Sequence, residues 1–83
     1  MAVEIRLFGF GEIRPKPFGG NDRIRLDIDT PLSPAQLIAQ LDISDTTGLV
    51  CMRNDKLIPQ TRWNEASIVN GDRVTLMWAI EGG

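Results

Sequence analysis

Val3, Ile5 and Leu7 alternate with Glu4, Arg6 and Phe8, the period of a strand that buries one face. Ile24, Leu26 and Ile28 alternate in the same way with Arg23, Arg25, Asp27 and Asp29, so a second strand is expected to pair back on the first. Gly9 to Asp22, between them, is a long connection rich in Gly and Pro. A helix signal follows. Ser33 suits the N-cap, Pro34 the first helical position, and Gln36 completes a capping box. Leu32 and Leu37 stand where a hydrophobic staple would put them, and Leu37, Ile38 and Leu41 form the apolar stripe. Leu49 to Arg53 reads as a third strand, and Asn54-Asp55 turns into a short segment at Leu57-Ile58 that Pro59 ends. Asn70-Gly71-Asp72 is a turn, and Arg73 to Ile80 is the last strand.

Two strands, one helix and then more strands predict an α+β roll: a mixed sheet with one main helix across one face. The natural closure sets the first and last strands side by side in the middle. This order is that of the β-grasp, the ubiquitin-like fold. One such domain is expected over residues 1–81, with residues 82–83 as a flexible tail and no internal repeat.

The alternation also isolates residues that break it. Phe8 falls on the polar side of the first strand. On the last strand Val74, Leu76, Trp78 and Ile80 share one parity, which leaves Met77 with Arg73 and Thr75 on the other. If these strands are neighbours, Phe8 and Met77 share an exposed face that Leu57 could extend. Apolar patches of this kind mark protein-binding sites, and Met adapts to more than one partner. The competing reading is that sheet curl or the Gly9–Asp22 loop covers them.

Composition narrows the chemistry. The chain has 83 residues, a formal charge of −2 and no histidine. Its pI of about 4.9 speaks against nucleic acid or an anionic membrane as partner. No apolar run approaches a membrane span, and Met1-Ala-Val-Glu lacks the regions of a signal peptide, so a cytoplasmic location is expected. Without histidine, Ser-His and Cys-His nucleophile pairs and histidine metal sites are excluded. Cys51, the single cysteine, lies between Val50 and Met52 in a strand and reads as a small core residue. Gly9-x-Gly11 lacks the third glycine of a dinucleotide fingerprint and opens no helix. Asp27 and Asp29 share a strand face and read as solvated, and Trp63 and Trp78 read as packing residues. No catalytic residue, metal ligand or bound cofactor is expected.

What remains is the end of the sequence. Glu81-Gly82-Gly83 follows the last strand directly, and its two glycines need an explanation. They add nothing to it, since glycine has no side chain to pack. They offer a slim ribbon carrying an α-carboxylate, thin enough to enter another protein's active site. The expected reactive group is therefore the C-terminus itself.

Several segments together resemble the ThiS/MoaD sulfur carriers, the family of the thiamine-biosynthesis carrier and the small subunit of molybdopterin synthase. The matching residues are Asn54-Asp55-Lys56-Leu57-Ile58-Pro59, Trp63, Asn70-Gly71-Asp72-Arg73-Val74 and Gly82-Gly83. The Pro59-x-x-x-Trp63 spacing is more like the thiamine carrier. Leu7-Phe8-Gly9 with its long loop is more like the molybdopterin subunit, and Phe10 to Gly20 is like neither. The resemblance implies a carrier rather than an enzyme. A ubiquitin-activator-like adenylyltransferase would use ATP to adenylate Gly83, and a persulfide donor would supply sulfur to give a thiocarboxylate. A sulfur-accepting synthase subunit would then receive it. Phe8, Leu57 and Met77, with Ile80 and Glu81 leading into Gly82-Gly83, would contact these partners. Two alternatives share the same features: a ubiquitin-like modifier joined to lysine through Gly83, and a non-reactive β-grasp interaction subunit.

Overall fold

Among the described residues five strands and one helix follow in the order β1 (Val3–Phe8), β2 (Arg23–Leu26), α1 (Pro34–Gln40), β3 (Leu49–Arg53), β4 (Lys56–Ile58) and β5 (Arg73–Trp78), with a 3-10 turn at Gln60–Arg62 before β5. The structure, a computed structural model, describes residues 2–9, 18–19, 21–43 and 46–78. The strands form one mixed sheet in the order β2-β1-β5-β3-β4. β1 and β5 run parallel at its centre, with Ile5 beside Val74 and Leu7 beside Leu76. The other pairings are antiparallel.

The helix begins as its sequence predicts. Ser33 Oγ accepts from the Gln36 N–H at 3.1 Å, and Gln36 Oε1 accepts from the Ser33 N–H at 3.0 Å. The Ala35 N–H, another donor left over at the helix start, reaches the Trp63 carbonyl at 2.9 Å. The helix ends in a Schellman motif: Asp42 takes φ 63°, its N–H bonds Ala39 O, and the Ile43 N–H bonds Ile38 O. Leu37, Ile38 and Leu41 are buried against Val3, Ile5, Leu7, Leu49, Cys51, Val74 and Leu76 from the sheet. Trp63 closes one side of this core, its indole N–H donating to Ile58 O at 2.9 Å.

Two features depart from the alternation. Ile28 continues the β2 pattern, yet the strand ends at Leu26. The Asn70 side-chain amide takes over there, accepting from the Ile28 N–H at 3.1 Å and donating to Ile28 O at 2.7 Å. It satisfies the backbone as a strand would, without being one. Leu26 is accordingly only partly buried. The second departure is Phe18, which lies in the Gly- and Pro-rich connection and is among the most deeply buried side chains. The rest of that connection, residues 10–17 and 20, lies outside the described residues, as do residues 79–83.

Leu37 is fully buried between α1 and the sheet. Leu37→Ala should lower unfolding free energy by about 2–5 kcal/mol, a large part of the ~5–15 kcal/mol typical of a whole domain. Urea denaturation should show this as a lower midpoint with an unchanged slope.

Candidate functional site

The face of the sheet away from the helix is built by parity. Since Val3, Ile5 and Leu7 point into the core, Glu4, Arg6 and Phe8 point out; on β5 the outward set is Arg73, Thr75 and Met77. The parallel register sets Phe8 beside Met77, and β3 sets Val50 on the other side of Met77. A second row runs Arg6, Thr75, Met52 and Leu57 across four strands. Phe8 is 48% exposed and Leu57 64%, while Met77 is half-buried between its two neighbours. Thr75 is 7% exposed although it lies on the open face, because Arg6 and Met52 flank it. The Arg6 guanidinium lies 5.4 Å from the Phe8 ring centre, a cation–π distance.

Phe8 and Met77 therefore meet directly, and Leu57 joins them only through Met52 and Val50. Those two residues complete the apolar patch, and sequence reasoning passed over them. Alternation could have found them, since inward Leu49 and Cys51 imply outward Val50 and Met52. The signal is weak because Leu49 to Met52 is apolar throughout, with no polar residue to mark the outer side.

Below the patch, Asp72 fixes the start of β5. Its carboxylate accepts from Arg53 Nε at 2.7 Å, Asn54 Nδ2 at 3.1 Å and the Val69 N–H at 2.9 Å. Its backbone carbonyl meanwhile accepts from the Glu4 N–H at 3.0 Å. Burial alone would raise the Asp72 pKa. The bonds from Arg53, Val69 and Asn54, with the Arg53 charge, outweigh burial and hold it below the ordinary aspartate value. Asn54 also accepts from the Arg73 N–H at 2.9 Å. Asn54 and Asp55 both take positive φ (51° and 69°), the geometry of the tight turn whose twist suits a two-residue hairpin. At the top of β1, Gly9 has φ 76°, and a Cβ there would come within 3.3 Å of Trp78 O. A side chain would meet the central strand at that point.

Cys51 is fully buried, and desolvation raises its pKa to about 11, so it stays a protonated thiol at neutral pH. Among the described residues no three His, Cys, Asp or Glu side chains converge as metal ligands, and no helix is long and apolar enough to cross a membrane. Ile80, Glu81, Gly82 and Gly83 lie outside the described residues.

Comparison with known proteins decides the family. The model of the ThiS family matches residues 10–83. The chain belongs to the ThiS family. Members of this family are small carrier or subunit proteins rather than enzymes in themselves. A search of curated proteins finds no match to this ThiS-family chain. Solved structures share its ubiquitin-like β-grasp fold. The HVO 2177 protein of Haloferax volcanii matches with a TM-score of 0.74 at 14% identity, over 100% of this chain and 87% of its own. Urm1 from Trypanosoma brucei matches with 0.69 at 15%, over 99% and 95%. A chain from the complex of subunits 1 and 2 of the molybdopterin-converting factor from Helicobacter pylori matches with 0.60 at 23%, over 100% of both chains. The family match begins after β1, and these likenesses extend over that strand as well.

The depressed Asp72 pKa sets an acid dependence. Its folded value lies below the unfolded value of about 3.9. The stability it contributes is complete above that pH and is lost as pH falls through the folded value. Asp72→Asn should lower the melting temperature at pH 7, and the gap from wild type should shrink at pH ~3. A gap independent of pH would mean that the carboxylate charge contributes nothing.

Proposed function

We propose that this ThiS-family chain is a sulfur carrier that works through the carboxylate of Gly83. An ATP-dependent adenylyltransferase of the ubiquitin-activator type joins that carboxylate to AMP and releases pyrophosphate. The terminal sulfur of a persulfide donor attacks the acyl carbon and AMP leaves, giving an acyl disulfide. A second thiol on the partner cleaves the S–S bond, forms a disulfide with the donor sulfur and leaves a thiocarboxylate on Gly83. That group donates sulfur to a cofactor-biosynthesis synthase of the molybdopterin or thiamine type, in the cytoplasm.

The observation that carries this reading is the family match itself, which runs through Gly82 and Gly83. The chemistry suits these residues. A carboxylate is a poor electrophile, and adenylation gives it a good leaving group. Glycine leaves the attacked carbonyl uncrowded and lets the backbone approach the partner closely. ATP is bound by the partner, so the carrier supplies only substrate and position. Position comes from the open face, where Phe8 and Met77 flank the end of the strand that leads to the tail. We assign Phe8, Met77 and Leu57, with Ile80 and Glu81, to partner contact. The solved complex of the Helicobacter pylori subunits supports a synthase subunit as one such partner.

Deleting Gly83 should abolish ATP–pyrophosphate exchange by the cognate activating enzyme, and Gly82→Val should weaken it strongly, because a β-branched residue stiffens and widens the ribbon. Normal exchange by the deletion variant would sink the proposal. Intact mass of protein from native cells should show one oxygen replaced by sulfur. High-mass adducts on lysine would instead make the chain a modifier.

Phe8→Glu and Met77→Glu should leave the melting temperature within a few degrees of wild type, since both residues lie on the open face. Both should weaken binding to activating enzyme and synthase alike, measured by calorimetry. An unfolded Met77→Glu variant would place Met77 in the core.

A further inference from the structure

The open face carries one charge pair that folding does not explain. Its ionised strand side chains are Arg23 and Arg25 on β2, Glu4 and Arg6 on β1, and Arg73 on β5. That is a net +3 on one face of a chain whose net charge is −2. Arg6 stands directly opposite Arg23. The Leu7 N–H donates to Asp22 O at 2.8 Å, so the hydrogen-bonded pairs fall at Leu7 and Ile5, and the Arg6–Arg23 pair lies between them. In an antiparallel ladder that is the pair with the closest side chains, and like charges there are destabilising. Among the described residues no carboxylate lies within ion-pair distance of Arg6, Arg23, Arg25 or Arg73. Arg53 shows the contrast, held by Asp72 at 2.7 Å.

One ordinary explanation is edge protection, since charges on a border strand discourage pairing with other chains. It accounts for Arg23 and Arg25, because β2 is an edge strand, and Glu4 stands opposite Arg25 and beside Arg73 in the register, but neither accounts for Arg6 on a central strand. Arg6 and Arg23 also share a surface depression of about 210 Å³ with Leu7, Phe8 and Asp22, which sets the pair beside the apolar patch.

We infer that the Arg6–Arg23 pair reads carboxylates on the activating enzyme that covers Phe8 and Met77. The inference rests on the carrier function proposed above and adds the chemistry of the partner: an apolar contact bordered by Asp or Glu. Planar guanidinium groups suit this task, because each can hold a carboxylate by two parallel N–H bonds. Charge complementarity at the border of an interface raises the encounter rate and rejects wrong partners. A second copy of this chain is a poor occupant, since two such faces repel. Nucleic acid is disfavoured by the negative charge of the whole molecule.

The test is ATP–pyrophosphate exchange by the activating enzyme against carrier concentration, at about 0.05 and 0.3 M NaCl. Wild-type KM should rise with salt. Arg6→Glu and Arg23→Glu should each raise KM about ten-fold or more at low salt with kcat unchanged, and should flatten the salt dependence. Arg6→Lys, which keeps the charge, should stay within about three-fold of wild type. The melting temperatures of Arg6→Glu and Arg23→Glu should equal or exceed that of wild type, because a carboxylate then faces the remaining arginine. Arg23 lies exposed on the edge strand, so its variant holds even if the central substitution disturbs folding. Unchanged KM in both charge-reversed variants, with exchange still dependent on Gly83, overturns this inference and leaves the carrier function standing. Absence of exchange by wild type overturns both. Binding of a fluorescent oligouridylate at the higher salt, or a wild-type dimer in sedimentation, either one lost in Arg6→Glu, assigns the face to that occupant and overturns the inference.

Discussion

The parallel pairing of β1 with β5 is the constraint on which the rest of the molecule depends. It joins the first strand of the chain to the last, and it must close a loop spanning nearly every other element before any contact repays the lost entropy. The ladder starts at one end, where the Gly71 N–H bonds Ala2 O and the Glu4 N–H bonds Asp72 O, both at 3.0 Å. Asp72 then turns its carboxylate the other way, to Arg53 and Asn54 of the β3–β4 hairpin. A single residue thus fixes β5, the strand that joins the β2–β1 pair to the β3–β4 pair in the sheet. Both halves of the sheet, and the helix that packs across them, take their positions from this join.

The same pairing creates the apolar row of the open face. Phe8 and Met77 are nearly seventy residues apart in sequence, and only a parallel register puts them in one row. A polar residue at either place would give an ordinary solvated strand. The apolar row runs onward through Val50, and the adjacent row through Met52 to Leu57, so the patch spans four strands and is as rigid as the sheet. Rigid placement matters for the carrier function proposed above. Under that proposal the face holds the partner in one orientation so that the C-terminus enters at a defined place.

Local signals were legible in the sequence, and long-range polar ones were not. Ser33, Pro34 and Gln36 announce the helix because the two capping-box bonds span only three residues. Phe8 and Met77 were legible as outliers because their strands alternate cleanly. Val50 and Met52 were not, since nothing polar interrupts Leu49 to Met52. Asp72 reads as a turn residue in Asn70-Gly71-Asp72, and its bond to Arg53 spans nineteen positions that no periodicity connects. Ile28 shows the reverse error. It has strand parity, but the Asn70 amide replaces the neighbouring strand. Phe18 was hidden by composition, because a Gly- and Pro-rich connection gives no sign that one of its residues fills the core. The charged half of the open face was equally hidden, since arginines on a polar strand parity look like simple solvation until the register sets Arg6 against Arg23.

The position of β5 has a mechanical consequence. Tension applied along the chain beyond Trp78 runs parallel to a strand that is hydrogen-bonded on both sides, to β1 and to β3. Such a pull loads the two ladders in shear, so their hydrogen bonds share the force instead of parting one at a time. An edge strand peeled from its neighbour would yield bond by bond. A pull on the chain beyond Trp78 therefore acts against the stiffest direction of the fold, and the domain resists unravelling from that end.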